Sequence, residues 1–290
     1  MNLSKYHALG NDYWVYDPNL NDNRTLDSLW VKNFCNRHTG LGGDGILVGP
    51  KQIDRNCFAV EIYNSDGTLA EISGNGLTIF SRYLCNAQRI KINEPFCILP
   101  SKKCRVHVIN IEENNDIYSK ILLGKGEFVE IIKYNVPADL RHLYALPAVL
   151  DLYKIDMGNP HCVVPIENPT KELAYALGRL LEVHPAFPHK ANVQFVHWDK
   201  ESLRAYIEIW ERGSGYTLGS GSSSCAVACA FGKYFALDHY TLTIKMPGGQ
   251  LAVTNEQQMF SFTNCAHKIA DVRLDRTYEC LHQDFRRYQK

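Results

Sequence analysis

The chain has 290 residues, long enough for two modest domains. Its 45% hydrophobic and 21% charged content are ordinary globular values and exclude a disordered chain. With 31 basic and 31 acidic residues it carries no formal net charge, which removes the electrostatic footprint of a nucleic-acid binder.

In chain order, residues 3–17 read as a strand, a turn at Gly10-Asn11-Asp12 and a second strand. Asp27 is placed to cap a helix over Ser28–Arg37. H-T-G-L-G-G-D-G at 38–45 is a flexible turn into the strand ILVG. Residues 57–64 alternate as a strand does, and Asn64-Ser65-Asp66-Gly67 is a turn. Leu77–Asn86 is apolar at helical spacing and reads as a buried helix. Several strands follow over 89–132. The second half has strands near 151–157 and 161–166, a helix near 170–182, strands at 192–198 and 203–210, and a helix at about 224–236. The strand TLTIKMPGG and further strands complete it.

Two stretches echo each other: N-S-D-G-T-L-A-E-I-S-G-N-G at 64–76 and E-R-G-S-G-Y-T-L-G-S-G-S at 211–222. Each runs from a glycine turn through a Thr to a Ser-Gly pair that opens an apolar helix. Ser73 and Ser220 lie 147 residues apart, about half the chain. Duplicated domains would set the two loops opposite each other. A Gly-rich loop opening a helix presents N–H groups and the positive end of the helix dipole, a cradle for a carboxylate. One proton-carrying side chain on each loop could then work the two faces of a carbon. Each loop alone is also just what an ordinary N-cap looks like.

The ten cysteines include no pair of Cys-x-x-Cys motifs, so neither a structural zinc site nor a disulfide scaffold is expected. Cys225 and Cys229, four apart on a helix, read as core packing. A reducing cytoplasm fits this usage. No apolar run approaches a membrane span, and MNLSKYHALGND does not read as a signal peptide.

The sequence resembles the diaminopimelate epimerase family of cofactor-independent amino-acid epimerases and racemases. The resemblance is carried by K-Y-H-A-L-G-N-D-Y (5–13), R-H-T-G-L-G-G-D-G (37–45), N-S-D-G…S-G-N-G (64–76), M-G-N-P-H-C-V (157–163), A-N-V (191–193), E-R-G-S-G-Y-T (211–217) and M-P-G-G (246–249), in family order over roughly residues 3–255. It implies an α+β fold of two similar domains related by a pseudo-twofold, each a central helix wrapped by β-strands, with the active site between them. The expected domains are 1–125, completed by 265–290, and 126–264. The resemblance also implies a small-molecule amino-acid substrate, no cofactor, no metal, no nucleic-acid or membrane partner, and a homodimer. Asn11, Asn64, Asn159, Asn192, Glu211 and Arg212 match positions that hold the distal end of the amino acid. Gly74, Asn75, Gly221 and Ser222 match the helix-end cradle for the reacting α-carboxylate. His161 would orient its neighbours.

The family uses two cysteines as base and acid, and here Ser73 and Ser220 occupy those positions. Cysteine titrates near ~8.5 and an alcohol nearer ~15.7, so complete alkoxide formation costs roughly 10 kcal/mol more. A serine base needs a helper, and His161 and Glu211 are the candidates. Ser223 stands where a glycine is common, Tyr216 where an acid often sits, and Asn264-Cys265-Ala266 where Gly-Pro-Ala is usual. The expected function is inversion of an amino-acid α-carbon by two-base proton transfer, interconverting LL- and meso-diaminopimelate. The alternative is a serine paralogue that binds an amino acid without turnover or acts on a different one.

Overall fold

The structure is a computed structural model and describes residues 1–21, 26–70, 72–100 and 105–275. Cys104, Cys280 and the expected completing segment 276–290 lie outside the described residues. Strands β1 (Asn2–Ala8) and β2 (Asn11–Tyr16) lead to helix α1 (Ser28–Phe34), strands β3 (Gly45–Asp54) and β4 (Cys57–Asn64), and helix α2 (Gly74–Asn86). Next come β5 (Pro95–Pro100), β6 (Val106–Glu113), β7 (Asp116–Lys125), β8 (Glu127–Asn135), helix α3 (Ala138–Tyr144), β9 (Val149–Asp156) and β10 (Pro160–Pro165). The interrupted helix α4 (Lys171–Leu173) and α5 (Arg179–Glu182) precedes β11 (Asn192–Asp199), β12 (Arg204–Glu211) and the short β13 (Gly215–Thr217). Helix α6 (Gly221–Phe235) is followed by β14 (His239–Met246), β15 (Gly249–Glu256), β16 (Met259–Cys265) and β17 (His267–Arg273).

The chain divides into two compact units, Met1–Ile121 with the residues from Cys265 on, and Leu122–Asn264. Each is an α+β unit with the same pairing order. In the first, β1 to β6 pair successively antiparallel, parallel, antiparallel, parallel and antiparallel. In the second, β9, β10, β11, β12, β14 and β15 repeat that sequence. β17 flanks β1 and β8 flanks β9, both antiparallel. The repeat in the two Gly-rich loops is therefore one part of a whole duplicated topology: α2 joins β4 to β5 just as α6 joins β12 to β14.

The linking helices are the centres of the units. In α6 the residues from Ser223 to Gly232 are all buried, so the helix meets protein on every side. α2 buries Leu77, Ile79, Phe80 and Leu84, and with them the polar Thr78 and Ser81. A buried hydroxyl must be partnered. Ser81 donates to Asn110 Oδ1 at 2.6 Å, and Ser119 donates to Ser81 Oγ at 2.9 Å, tying α2 to β6 and β7. A second cluster in this unit packs Trp14, Trp30, Phe34 and Ile46 under α1.

Three features depart from the sequence reading. The 170–182 helix is broken by a π-helical turn at Ala174–Gly178, where a Cβ on Gly178 would fall 2.7 Å from Trp210 Cβ. Helix α3 was not expected; it buries no residue fully, and its short apolar side is Leu140 and Tyr144, packed against the core of the second unit. Cys57 and Cys97 stand directly opposite on the parallel strands β4 and β5 and form a disulfide, where reduced thiols were expected. Cys225 and Cys229 are core residues. Among the described residues no helix is long and apolar enough to cross a membrane.

Removing the hub hydroxyl with Ser81→Ala leaves Asn110 and Ser119 buried without their partner. The expected cost is about 1–3 kcal/mol of unfolding free energy, read as a lower denaturant midpoint at unchanged slope.

Candidate active site

In the first unit Ser73 is the N-cap of α2. Its backbone is extended (φ −138°, ψ 116°), and its Oγ accepts from Gly76 N–H at 3.1 Å. Gly74 and Asn75 are the next two residues, whose N–H groups have no acceptor within the helix. This is why the helix begins at the loop glycines and not at Leu77, where the apolar pattern starts. Among the described residues of its own unit, the bond from Gly76 is the one hydrogen bond of the Ser73 hydroxyl.

Asn64 ends β4 and pairs with Gly45 at the start of β3, which pairs in turn with Tyr13 of β2. The register therefore gathers Asn11, Asn64 and the 38–45 turn at one end of the sheet. Asn64 donates to Thr68 Oγ1 at 3.0 Å, and Asn11 to Asp44 Oδ2 at 2.7 Å. Asp44 also accepts from Asp12 N–H at 3.0 Å and from Arg37 at 2.9 Å. Asp12 receives Arg37 at 2.5 Å and Lys5 Nζ at 2.8 Å. Burial works against ionising Asp12, and the hydrogen bonds from Arg37 and Lys5 outweigh it, so its carboxyl sits below the usual range. This Lys5–Asp12–Arg37–Asp44 cluster fixes Asn11 and the turn. It was quoted within motifs but given no role from the sequence, because its members come from two stretches more than twenty residues apart.

The second unit builds its end in the same way. His161 pairs with Asn192, and Val193 with Trp210, which brings Asn159, Asn192, Glu211 and Arg212 to one edge of β10, β11 and β12. Asn192 Oδ1 accepts from Arg212 N–H at 2.9 Å, and its Nδ2 donates to the Pro160 carbonyl at 3.4 Å. The exposed Arg212 guanidinium donates to the His189 carbonyl at 3.1 Å. Glu182 holds the loop beneath it by accepting from Trp210 Nε1 at 2.8 Å and from Gly213 N–H at 3.2 Å. Burial opposes the charge on Glu182, and those donors with Lys190 overcome it. The sequence reading gave Glu182 no role, since its partners lie beyond the next strand.

Ser220 is the N-cap of α6, again extended (φ −151°, ψ 128°), and is buried. Its Oγ accepts from Ser223 N–H at 3.4 Å and lies 3.4 Å from Ser222 Oγ. Its side chain also favours the charged form of Glu211. Burial pushes the Glu211 pKa up, and Ser220 only partly offsets this. The surface of Glu211 is half-exposed, but its carboxyl is enclosed enough for desolvation to dominate. Gly221 follows the cap, and a Cβ there would fall 2.9 Å from the Phe262 ring.

His161 does not reach either serine by a hydrogen bond of its own. Its Nδ1 receives Gln194 Nε2 at 3.1 Å, and its Nε2 donates to Asn159 Oδ1 at 3.0 Å. Burial, with the Arg212 charge adding, pushes its pKa down to about 3, so it is neutral. As a neutral imidazole it links Asn159 and Gln194. The unusual Ser223 is buried and accepts from Gln194 Nε2 at 3.0 Å. Tyr216 donates to Glu208 at 2.7 Å and stacks on Tyr175.

The family model for diaminopimelate epimerase matches residues 3–116 and 153–263. The chain is 36% identical over 285 residues to diaminopimelate epimerase 2 of Nostoc sp., covering 94% of this chain and 95% of that one. It is 30% identical over 269 residues to the diaminopimelate epimerase of Pseudomonas savastanoi pv. phaseolicola, covering 87% and 90%. A hydroxyproline epimerase from Agrobacterium vitis, solved with trans-4-hydroxy-L-proline bound, shares the fold at TM-score 0.68 and 12% identity over 94% of this chain and 91% of that one.

Asp12→Asn removes a charge that Lys5 and Arg37 share, and should cost about 2–4 kcal/mol of stability. Because the folded pKa of Asp12 is depressed, its contribution is present above the unfolded carboxylate range and is lost as pH falls through the folded value. Denaturant melts should therefore show a large gap between the two proteins at neutral pH that narrows in acid.

Proposed function

Since the chain belongs to the diaminopimelate epimerase family, we propose that it inverts an amino-acid α-carbon without a cofactor, using the residues that cap α2 and α6. The proposed substrate is the LL/meso pair of diaminopimelate, a precursor for lysine and peptidoglycan. The observation that carries the reading is that the central helix of each unit opens on a serine N-cap in the same extended conformation. Glu211, whose charged form Ser220 favours, is the proposed base that an alcohol lacks.

In this mechanism the α-carboxylate is held by the helix-end N–H groups around Gly74–Asn75 and Gly221–Ser222, where the dipoles favour the enediolate charge that develops on it. Arg212 and the asparagines at 11, 64, 159 and 192 hold the distal amino-carboxylate end; a guanidinium forks onto a carboxylate, and amides offer donor and acceptor. Ser220 Oγ takes the α-proton while its own hydroxyl proton passes to Glu211, so full alkoxide is never formed on that side. Ser73 then gives its proton to the opposite face of the carbon. The Ser73 oxygen left behind is stabilised by Gly76 N–H and regains its proton from water. The enzyme is proposed to work in the cytoplasm as a homodimer.

A difference between the two caps favours one second reading. Ser220 acts on the Glu211 carboxyl, whereas among the described residues of its own unit Ser73 is partnered by a backbone N–H alone. A chain with one competent base and no competent acid would bind the amino acid and not invert it. Calorimetry would then show diaminopimelate binding without turnover.

The test is epimerisation of diaminopimelate by the chain and by the Ser73→Cys, Ser220→Cys double variant. The double variant should be faster by at least about 100-fold, given the thiol–alcohol gap. A double variant that binds diaminopimelate but does not epimerise it would mean that these positions are wrongly assigned. For the chain itself, Glu211→Gln should lower kcat by about 100-fold or more while leaving binding measurable. The sign of the pH dependence follows from the base: Glu211 must be ionised, and its pKa is raised. The rate should therefore fall with decreasing pH at a point above the ordinary glutamate range, and the variant should lack that limb.

A further inference from the structure

We propose that Asp116, Cys265 and His267 form a binding site for one divalent cation of the zinc class. All three belong to the first unit and lie apart from the capping serines in sequence. One ligand atom from each, a carboxylate oxygen, the thiol sulfur and an imidazole nitrogen, lies within 4.8 Å of the other two. His267 Nδ1 is 3.9 Å from the Asp116 carboxylate. Ligand atoms bound tetrahedrally at ~2.0–2.3 Å from zinc are themselves roughly 3.3–3.8 Å apart. The triangle therefore has to contract by little more than about 1 Å, which rotation of partly exposed side chains can supply.

The backbone explains why these three meet. Asp116 starts β7, Cys265 ends β16 and His267 starts β17. In the extended segment between the last two, Ala266 is fully buried. Alternation then puts Cys265 and His267 on the opposite, outward side together. His267 is in register with His7 of β1, and their rings pack with centroids 5.5 Å apart, which limits the freedom of the imidazole.

The donor set selects the metal. A thiolate and an imidazole suit zinc or cobalt, whereas calcium and magnesium take oxygen alone. With the carboxylate, the two anionic ligands balance a divalent charge, so the site as a whole is neutral. Without the metal, burial and the Asp116 charge push the Cys265 thiol up and Arg82 only partly offsets them, so metal binding has to displace the thiol proton. A water fills the fourth position at this open surface. No Cys-x-x-Cys pair announces the site because its ligands come from three strand ends.

The experiment titrates the full chain, stripped of metal by chelation, with Zn²⁺ by calorimetry and with Co²⁺ by absorption. The expected result is one equivalent bound, with a thiolate-to-cobalt charge-transfer band. Cys265→Ser should abolish that band, and Cys265→Ser, His267→Gln and Asp116→Asn should each weaken Zn²⁺ at least about 10-fold. Cys85→Ser serves as a control for another half-buried thiol and should change neither. Circular dichroism confirms that each variant is folded. Absence of stoichiometric binding, or affinity and band unchanged in the folded Cys265→Ser and His267→Gln variants, would overturn the proposal.

Discussion

The constraint on which the structure depends is the capping of two buried helices. A helix end that carries N–H groups into the interior must find acceptors for them, and α2 and α6 each use a serine hydroxyl for one. That requirement fixes the backbone of Ser73 and Ser220 in nearly the same extended conformation. It also leaves the preceding helical N–H groups of Gly74, Asn75, Gly221 and Ser222 at the mouth of the dipole. A residue that caps such a helix is held where an anion is stabilised, so the cap is a natural place for a proton-transfer group. The fold and the chemistry ask for the same geometry.

Around each helix the same ladder is built, antiparallel and parallel pairs alternating from β1 to β6 and from β9 to β15. Equivalent positions can then be compared directly. Asn64 and Glu211 are both the last residue of the strand before the loop, and both stand nine residues before the cap. In one unit that position is a neutral amide that donates to Thr68; in the other it is a carboxylate whose charged form the capping serine favours. The duplicated frame supplies two similar seats, and this one substitution makes them chemically different. The supporting ions differ as well. Lys5, Asp12, Arg37 and Asp44 brace the first unit, and Glu182 with Trp210 and Lys190 braces the second.

Much of this was legible in the sequence. The repeated Gly-rich loops, the helices after them and the strands at 57–64, 192–198 and 203–210 all carried local signals. The start of α2 was read three residues late because Gly-Asn-Gly has weak helical propensity and the cap is a tertiary decision. The break in the 170–182 helix depends on Trp210, some thirty residues on, and no local pattern contains it. The Cys57–Cys97 disulfide likewise depends on two strands 40 residues apart lying side by side. Residue roles were legible only where a motif carried them. Asp12, Arg37 and Asp44 sat inside such motifs as unexplained letters, and Glu211 was matched to the distal end of the substrate and named with His161 as a candidate helper for a serine base. His161 looked like a base and is instead a buried neutral link between two amides.

The central claim is that two different groups handle the α-proton, one on each face, and that Ser220 with Glu211 is one of them. The most direct measurement is the fate of the α-hydrogen when LL-diaminopimelate turns over in deuterated water, followed at low conversion by mass spectrometry. A two-base site puts solvent deuterium into the meso product while the remaining LL substrate keeps its protium. Equal labelling of substrate and product, or no labelling of either with substrate demonstrably bound, would contradict the account.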